Sequence, residues 1–517
     1  DTLVLVCQTA LADSPLIFGN LFAQVDYICQ KAHCTAADTH AIQHMRRVSN
    51  RSEKLTREER LQALRALALL VSAAFKTPIP ATLVGLLPER EATPITATHI
   101  DYRYMRGIVQ RVSIDSITLL IDQTVRENPF TVKLQPHQHY LLDIVQVGHQ
   151  LNLIDVNTAH EAAIIVFEPD FLVDISSIAH CFTDYGHHPF AHLLHAFEPS
   201  FINQPILLGY FAGAALDDII NQKGDYHWQE TLKKSFKEQA LAYCACKDFN
   251  QKEDFKTAAI RQTQHIESIV KALFDAPLSQ TTTPTDEAVY NRNKAVLEPS
   301  FVCEALGLQG RVDLMTTDFK LLVEQKSGNN FNLQRQQPNS FGSYQLENHY
   351  VQLLLYYGVL RQNFNVSTQH IAMRLLYSKY PLPGGLVAVN FYQKLFREAI
   401  SLRNRIVAHE YHFGKQGFQG IVEVLSVDML NEKKLETPFF QRWIQPQLNG
   451  IIAPLHALNP LEKAYFERMV SFVFSEQLAA KVGAKEGITH SVSDLWNMPL
   501  AAKKEAGEIY TDLTLAE

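Results

Sequence analysis

The sequence is poor in the features that fix a membrane, a disulfide scaffold or a motor. No run of about 18 apolar residues occurs, so nothing in it reads as a membrane-crossing helix. Seven cysteines, an odd number scattered over 517 residues, exclude a disulfide framework and point to a reducing compartment, hence the cytoplasm. No G-x-x-x-x-G-K-[ST] is present: the one Gly-Lys pair, Gly414-Lys415, precedes Gln416, so the chain carries no phosphate-cradling P-loop. Charge of either sign is not in excess. With 47 basic against 54 acidic side chains the net charge is -7, and contact with nucleic acid must come from local basic patches. The opening "DTLVLVCQTALADS" has no basic lead-in and no initiating Met, which reads as a trimmed start rather than a secretory signal.

What is present is enough apolar sequence, 46%, for several cores. Residues 1–95 read as helical. In "KLTREERLQALRALALLVSAAF", Thr56 and Glu59 form a capping box ahead of apolar residues at helical spacing. Proline punctuates "TPIPATLVGLLPEREATPITA" and ends that region. Residues 96–158 alternate, as in "RGIVQRVSIDSITLLID" and "YLLDIVQVGHQLNLIDV", and predict a small antiparallel β module, OB-like in character. Helices and loops follow to about 278, with "SQTTTPTDE" as an exposed polar loop. Strands resume near 295, a helix covers 344–362, and "IAMRLLYSKY" reads as a strand. A helix from about 390 to 410 takes Asn390 as its N-cap, "QGIVEVLSV" reads as a short β piece, and Asn459, Pro460 and Glu462 start a long helix. No internal repeat is found.

The chemistry concentrates in "GRVDLMTTDFKLLVEQKSG". On a strand Glu324 and Lys326 point to one face, with Val323 and Gln325 on the other, and Asp313 on the neighbouring strand reaches the same spot. Two carboxylates in apolar surroundings repel unless a cation holds them, and hard divalent ions take such oxygen ligands. A lysine beside them orients the attacking water and offsets charge on a pentavalent phosphate. Downstream, "YQLENHYVQLLLYYGVL" places Gln345, His349, Gln352 and Tyr356 on one helical stripe. A polar stripe on a buried helix needs a polar partner, which an active site supplies. Alone, E-x-K is more often a solvated edge or an ion pair than a catalytic site.

Taken together, G-x-V-D, E-x-K and Q-x-x-x-Y resemble the RecB-like branch of the PD-(D/E)XK nucleases. The surrounding wording, "EPSFVCEALGLQGRVDLM", "LLYSKYPLPGG" and "LFREAISLRNRIVAHE", is similar to the helicase-nucleases that trim Okazaki-fragment flaps. The resemblance covers roughly residues 165–412. It implies an α/β, restriction-endonuclease-like nuclease core over 159–418 acting on single-stranded or flap DNA with Mg²⁺ or Mn²⁺. By it Asp313 and Glu324 hold the metal, Lys326 positions the water, Gln352 orients Lys326 or the phosphate, and Tyr356 packs beneath. Arg311, Lys379 and Arg403 are the expected DNA contacts, Arg403 as a phosphate grip, and Glu298 is a further carboxylate that approaches from the preceding strand. Residues 419–517 then form a connector to a C-terminal helicase that this chain does not include. Two departures stand out. Gly213 occupies the place of a metal-ligating His, for which Asp217 or Asp218 is the substitute. No cysteine follows Cys303, so a four-cysteine iron–sulfur cluster is not expected, and packing or salt bridges must close the domain.

Two rival readings come from other classes. One is a single-stranded-DNA-binding or scaffolding module with a decayed nuclease fold. The other is a zinc enzyme built on His188, His192 and His195 of "HHPFAHLLHAF". Cys29 with Cys34, and Cys244 with Cys246, lack mates at metal spacing.

Overall fold

The computed structural model describes residues 2–12, 21–48, 55–88, 101–121, 129–222, 226–251, 253–275, 290–339, 343–483, 491–498, 500–505, 507, 509–510 and 513–514. The polar stretch 279–287 lies outside them. Among the described residues five helices come first: α1 (Thr2–Leu11), α2 (Leu21–Lys31), α3 (Ala36–Val48), α4 (Arg57–Phe75) and α5 (Ala81–Val84). The capping box forms as the spacing predicts, with Thr56 Oγ1 accepting from the Glu59 N–H and the Glu59 carboxylate from the Thr56 N–H. α1 to α4 bury Cys7, Val25, Ile28, Cys29, Ile42 and Leu70 in a core of their own.

The alternating stretch folds into β1 (Tyr104–Val112), β2 (Ser116–Ile121), β3 (Phe130–Lys133), β4 (Gln150–Val156) and β5 (Ala162–Phe167). The one-turn helix α6 (Leu141–Ile144) lies between β3 and β4. The order is β3-β2-β1-β4-β5 with every neighbour antiparallel. The sheet runs through Phe167, past the boundary expected near 158. One parallel bridge, Lys133 to Glu161, joins its two edges. Gly107 is required at the centre, because a Cβ there would stand 2.8 Å from Ile121 Cγ2 and 2.9 Å from the Leu120 carbonyl.

The second half is a mixed sheet between helical layers. β6 (Val173–Asp174) leads into α7 (Ile175–His180), α8 (Phe190–Phe197), α9 (Gln204–Asn221), α10 (Trp228–Glu238), α11 (Ala240–Ala245) and α12 (Phe255–Phe274). Then come β7 (Ala295–Leu297), β8 (Ser300–Cys303), β9 (Leu308–Arg311), β10 (Leu314–Thr316) and β11 (Leu321–Lys326). After α13 (Phe331–Arg335) and α14 (Glu347–Phe364), β12 (Ala372–Tyr377) and β13 (Leu386–Val389) complete a sheet of order β13-β12-β11-β10-β7. β11 and β12 are parallel and the other neighbours antiparallel. Leu314, Leu321, Val323 and Leu376 on one face pack with α9 and α12, while Leu322, Met373 and Leu375 on the other join the core of α14. A smaller sheet, β6-β9-β8, flanks this one.

α15 (Gln393–Gln416) closes the assembly. It starts three residues after Asn390, whose carbonyl instead accepts from the Tyr350 hydroxyl at 2.6 Å. "QGIVEVLSV" is not β but two single turns, α16 (Ile421–Val424) and α17 (Val427–Leu430). Ser426 caps the second through the Met429 N–H, and burial of Val422, Leu425, Val427 and Leu430 against Phe413 and Phe418 overrides the β-branched propensity. α18 (Gln445–His456), α19 (Pro460–Val482), α20 (Asp494–Asn497) and α21 (Leu500–Glu505) end the described chain. Asn459 caps α19 in a full capping box. Segment 183–187 is tied to 430–433 by polar bonds: the Lys433 N–H donates to the Tyr185 carbonyl and the His187 N–H to Glu432. Among the described residues no helix is long and apolar enough to cross a membrane.

Arg403 corrects one expectation outright. It is fully buried on α15 and grips no phosphate. Its guanidinium donates to the carbonyls of Gly307 (3.2 Å), Glu168 (3.0 Å), Phe171 (2.6 Å) and Phe167. Asn404 beside it donates to the Ile165 carbonyl and accepts from the Phe167 N–H. Gly307 must be glycine, with φ +63 and a Cβ that would collide with the guanidinium. Arg403→Leu orphans these carbonyls, and at about 1–3 kcal/mol for each unsatisfied group we expect a loss of at least ~3 kcal/mol, read as a lower calorimetric melting temperature. Arg403→Lys is expected to rescue little, because one ammonium cannot match the planar fork.

Candidate active site

Glu324 and Lys326 leave β11 on the face covered by α14, as strand alternation requires. Asp313 stands just before β10, opposite them on the antiparallel neighbour, and its Oδ2 accepts from the Gln325 N–H at 2.6 Å. Lys326 Nζ donates to Glu324 Oε1 at 2.9 Å and to Gln352 Oε1 at 2.8 Å. Gln352 Nε2 lies 3.5 Å from the Tyr356 hydroxyl, and that hydroxyl donates to the Arg311 carbonyl at 2.7 Å. The E-x-K strand and the Q-x-x-x-Y helix therefore meet as the sequence predicts, one turn of α14 presenting both polar groups. Gly310 permits it, since a Cβ there would come within 2.8 Å of the Tyr356 ring.

Glu324 is 2% exposed, and among the described residues its Oε2 has no hydrogen-bond partner. Burial, and then the neighbouring Asp313, push its carboxyl up to about 8. Burial likewise raises Asp313, partly opposed by Lys326. Asp217, on α9, is half-buried and raised to about 6 by burial, then by Glu298, Asp218 and Asp313. Asp218 is otherwise engaged, accepting from Thr231 Oγ1 at 2.5 Å with Lys234 3.7 Å away, so Asp217 is the acid that faces the site. One turn earlier, Gly213 opens on space, since a Cβ there would meet nothing within 4 Å, while Gly209 lets α9 approach Ser327.

The remaining expected residues divide. Arg311 is exposed at the end of β9, with Nη1 3.0 Å from Glu298 Oε2. Lys379, just past β12, donates to Asn329 Oδ1 at 2.5 Å and sits beyond the Lys326 end of the parallel pair. Arg403 lies in the interior, far from this role. The histidines of the zinc reading do not converge: His188 Nδ1 accepts from the Phe190 N–H, His192 meets Glu410 at 3.5 Å, and His195 meets Glu198 at 3.4 Å. The sequence reading missed His180, at the end of α7, which burial, then His195 and Lys326, hold below the usual imidazole value, as burial and then Lys326 do for His349. Its signal was hidden among the neighbouring histidines.

Among the described residues no three His, Cys, Asp or Glu side chains stand close enough together to hold a metal ion as they are placed. The fit to a divalent cation rests instead on the orphaned Glu324 oxygen and on carboxyls that raise one another. Both are relieved by positive charge, and both are oxygen donors suited to Mg²⁺ or Mn²⁺.

A carboxyl whose folded value lies above its usual 4.5 binds a proton more tightly in the folded chain. Stability from Glu324 is therefore fullest below about pH 4.5 and lost as pH rises toward 8, of the order of 5 kcal/mol in all. In EDTA, Glu324→Gln should flatten the fall in melting temperature over that range, and Mn²⁺ should stabilise the parent more at about pH 8 than at pH 6. Searches of known protein families and of curated proteins return no match to this chain.

Proposed function

We propose that the chain is a metal-dependent nuclease that hydrolyses phosphodiester bonds of single-stranded or flap DNA. The observation that carries this reading is a buried carboxylate with a free oxygen, Glu324, set beside Asp313 and a lysine held by Gln352. Structural ion pairs satisfy their buried oxygens; this one leaves an acceptor open. The mixed sheet supports a PD-(D/E)XK core: an antiparallel β10–β11 hairpin carries the acids, and α14 crosses to the parallel strand β12.

Glu324, Asp313 and Asp217 are the residues that would hold Mg²⁺ or Mn²⁺. When bound, such an ion supplies a polarised water and offsets charge on the phosphate. Lys326, fixed from two sides, holds that water in line and stabilises the growing negative charge. Gln352 sets the ammonium, and Tyr356 sets Gln352 through its bond to the Arg311 carbonyl. Arg311 and Lys379 take flanking phosphates at the mouth.

The five-stranded sheet with its edge-to-edge bridge at Lys133 and Glu161 supports an OB-like barrel that guides the single strand. Residues 419–517 serve as the connector to a helicase, and the odd count of seven scattered cysteines suits a cytoplasmic protein. The alternative, a DNA-binding module with a decayed site, is opposed by the Lys326–Gln352–Tyr356 chain, which has no structural need to converge on Glu324. An end-labelled single-stranded oligonucleotide should be cut with Mn²⁺ and left intact in EDTA. Glu324→Ala and Lys326→Ala should each lower the rate by at least about a hundredfold without unfolding the chain. Binding without cutting by the parent would favour the decayed module.

A further inference from the structure

Glu298 is a surface acid that the backbone sets against the site. It follows β7, its N–H donates to the Asp313 carbonyl at 3.0 Å, and it is held in the left-handed region at φ +49. Outside glycine that conformation is uncommon for a long side chain and carries strain. The result is that Glu298 stands directly across the strand pair from Asp313. From there its charge acts on both Asp313 and Asp217. Its carboxylate is nevertheless engaged elsewhere, with Arg311 at 3.0 Å, and both partners are open to solvent. The buried, unpartnered Glu324 Oε2 lies on the far side of Asp313. The free chain thus keeps one arginine of the DNA-binding mouth and one carboxylate of the cation site paired with each other.

We propose that Glu298 is a fourth carboxylate of the site and a placeholder for substrate phosphate: arriving DNA takes Arg311, and the released Glu298 turns to the divalent cation beside Asp313 and Asp217. The exchange couples the two ligands. Phosphate on Arg311 frees a metal ligand, and metal on Glu298 frees a phosphate ligand, so each tightens the other. The pair is exposed, so its strength is modest and the exchange is easily made. This inference rests on the nuclease reading.

The test uses the whole chain and two binding measurements that need no turnover: fluorescence anisotropy of a labelled oligothymidine in EDTA, and electron paramagnetic resonance of Mn²⁺ alone. Glu298→Gln should tighten oligothymidine binding about 2- to 5-fold, the range of an exposed ion pair, and weaken Mn²⁺ binding. Arg311→Ala should do the reverse, weakening oligothymidine binding and tightening Mn²⁺. Opposite signs for the two ligands are the signature, since a merely structural loss moves both the same way. Variants that shift both ligands in one direction, or a Glu298→Gln chain that binds Mn²⁺ as the parent does, overturn the exchange while leaving the nuclease reading in place. A parent that binds neither ligand overturns both.

Discussion

One buried guanidinium organises the molecule. Among the described residues Arg403 meets no carboxylate at hydrogen-bond distance; it is held by four backbone carbonyls drawn from the end of β5, the turn after it and the loop before β9. Desolvation pushes its pKa down to about 9, so the fork is valuable only while all four acceptors stay in place. That demand fixes where the five-stranded sheet joins α15 and where β9 begins. From Gly307 the constraint runs through β9 to Gly310 and Arg311, whose carbonyl accepts from Tyr356. Tyr356 then sets Gln352, and Gln352 sets Lys326. The geometry at the candidate site is the far end of a chain that starts at this joint.

The site runs on the opposite logic. Interiors stay stable by satisfying polar atoms, yet here Asp313, Glu324 and Lys326 meet on β10 and β11 within the electrostatic reach of Asp217 on α9, and among the described residues one Glu324 oxygen stays unpaired. The apolar sheet faces against α9, α12 and α14 supply enough burial to tolerate that deficit. A cation removes it. The same electrostatics explain why Asp217 rather than Asp218 belongs to the site: Asp218 is already committed to Thr231 and Lys234.

Much of this was legible in the sequence because it depends on period. Two-residue alternation placed Glu324 and Lys326 together, and the helical stripe placed Gln352 and Tyr356 opposite them. The capping boxes at Thr56 and Asn459 are local and formed as written. Long-range burial was not legible. Arg403 looks like any basic residue on an amphipathic helix, and only the tertiary carbonyls around it reveal a structural role. "QGIVEVLSV" carries strand-forming residues, but the apolar surface of Phe413 and Phe418 selects short turns. Glu298 could be suspected from order along the chain, whereas its pairing with Arg311 and its backbone conformation could not.

The most direct test of the central claim is the position of a bound cation. Crystals soaked in Mn²⁺ and measured near the manganese absorption edge should give an anomalous peak in contact with Glu324 Oε2 and the Asp313 carboxylate, at about 2.0–2.3 Å, with Asp217 turned toward it. A peak elsewhere, or none while Glu324 stays bound only to Lys326, would show that this buried acid is a structural ion pair and not a metal-dependent catalytic centre.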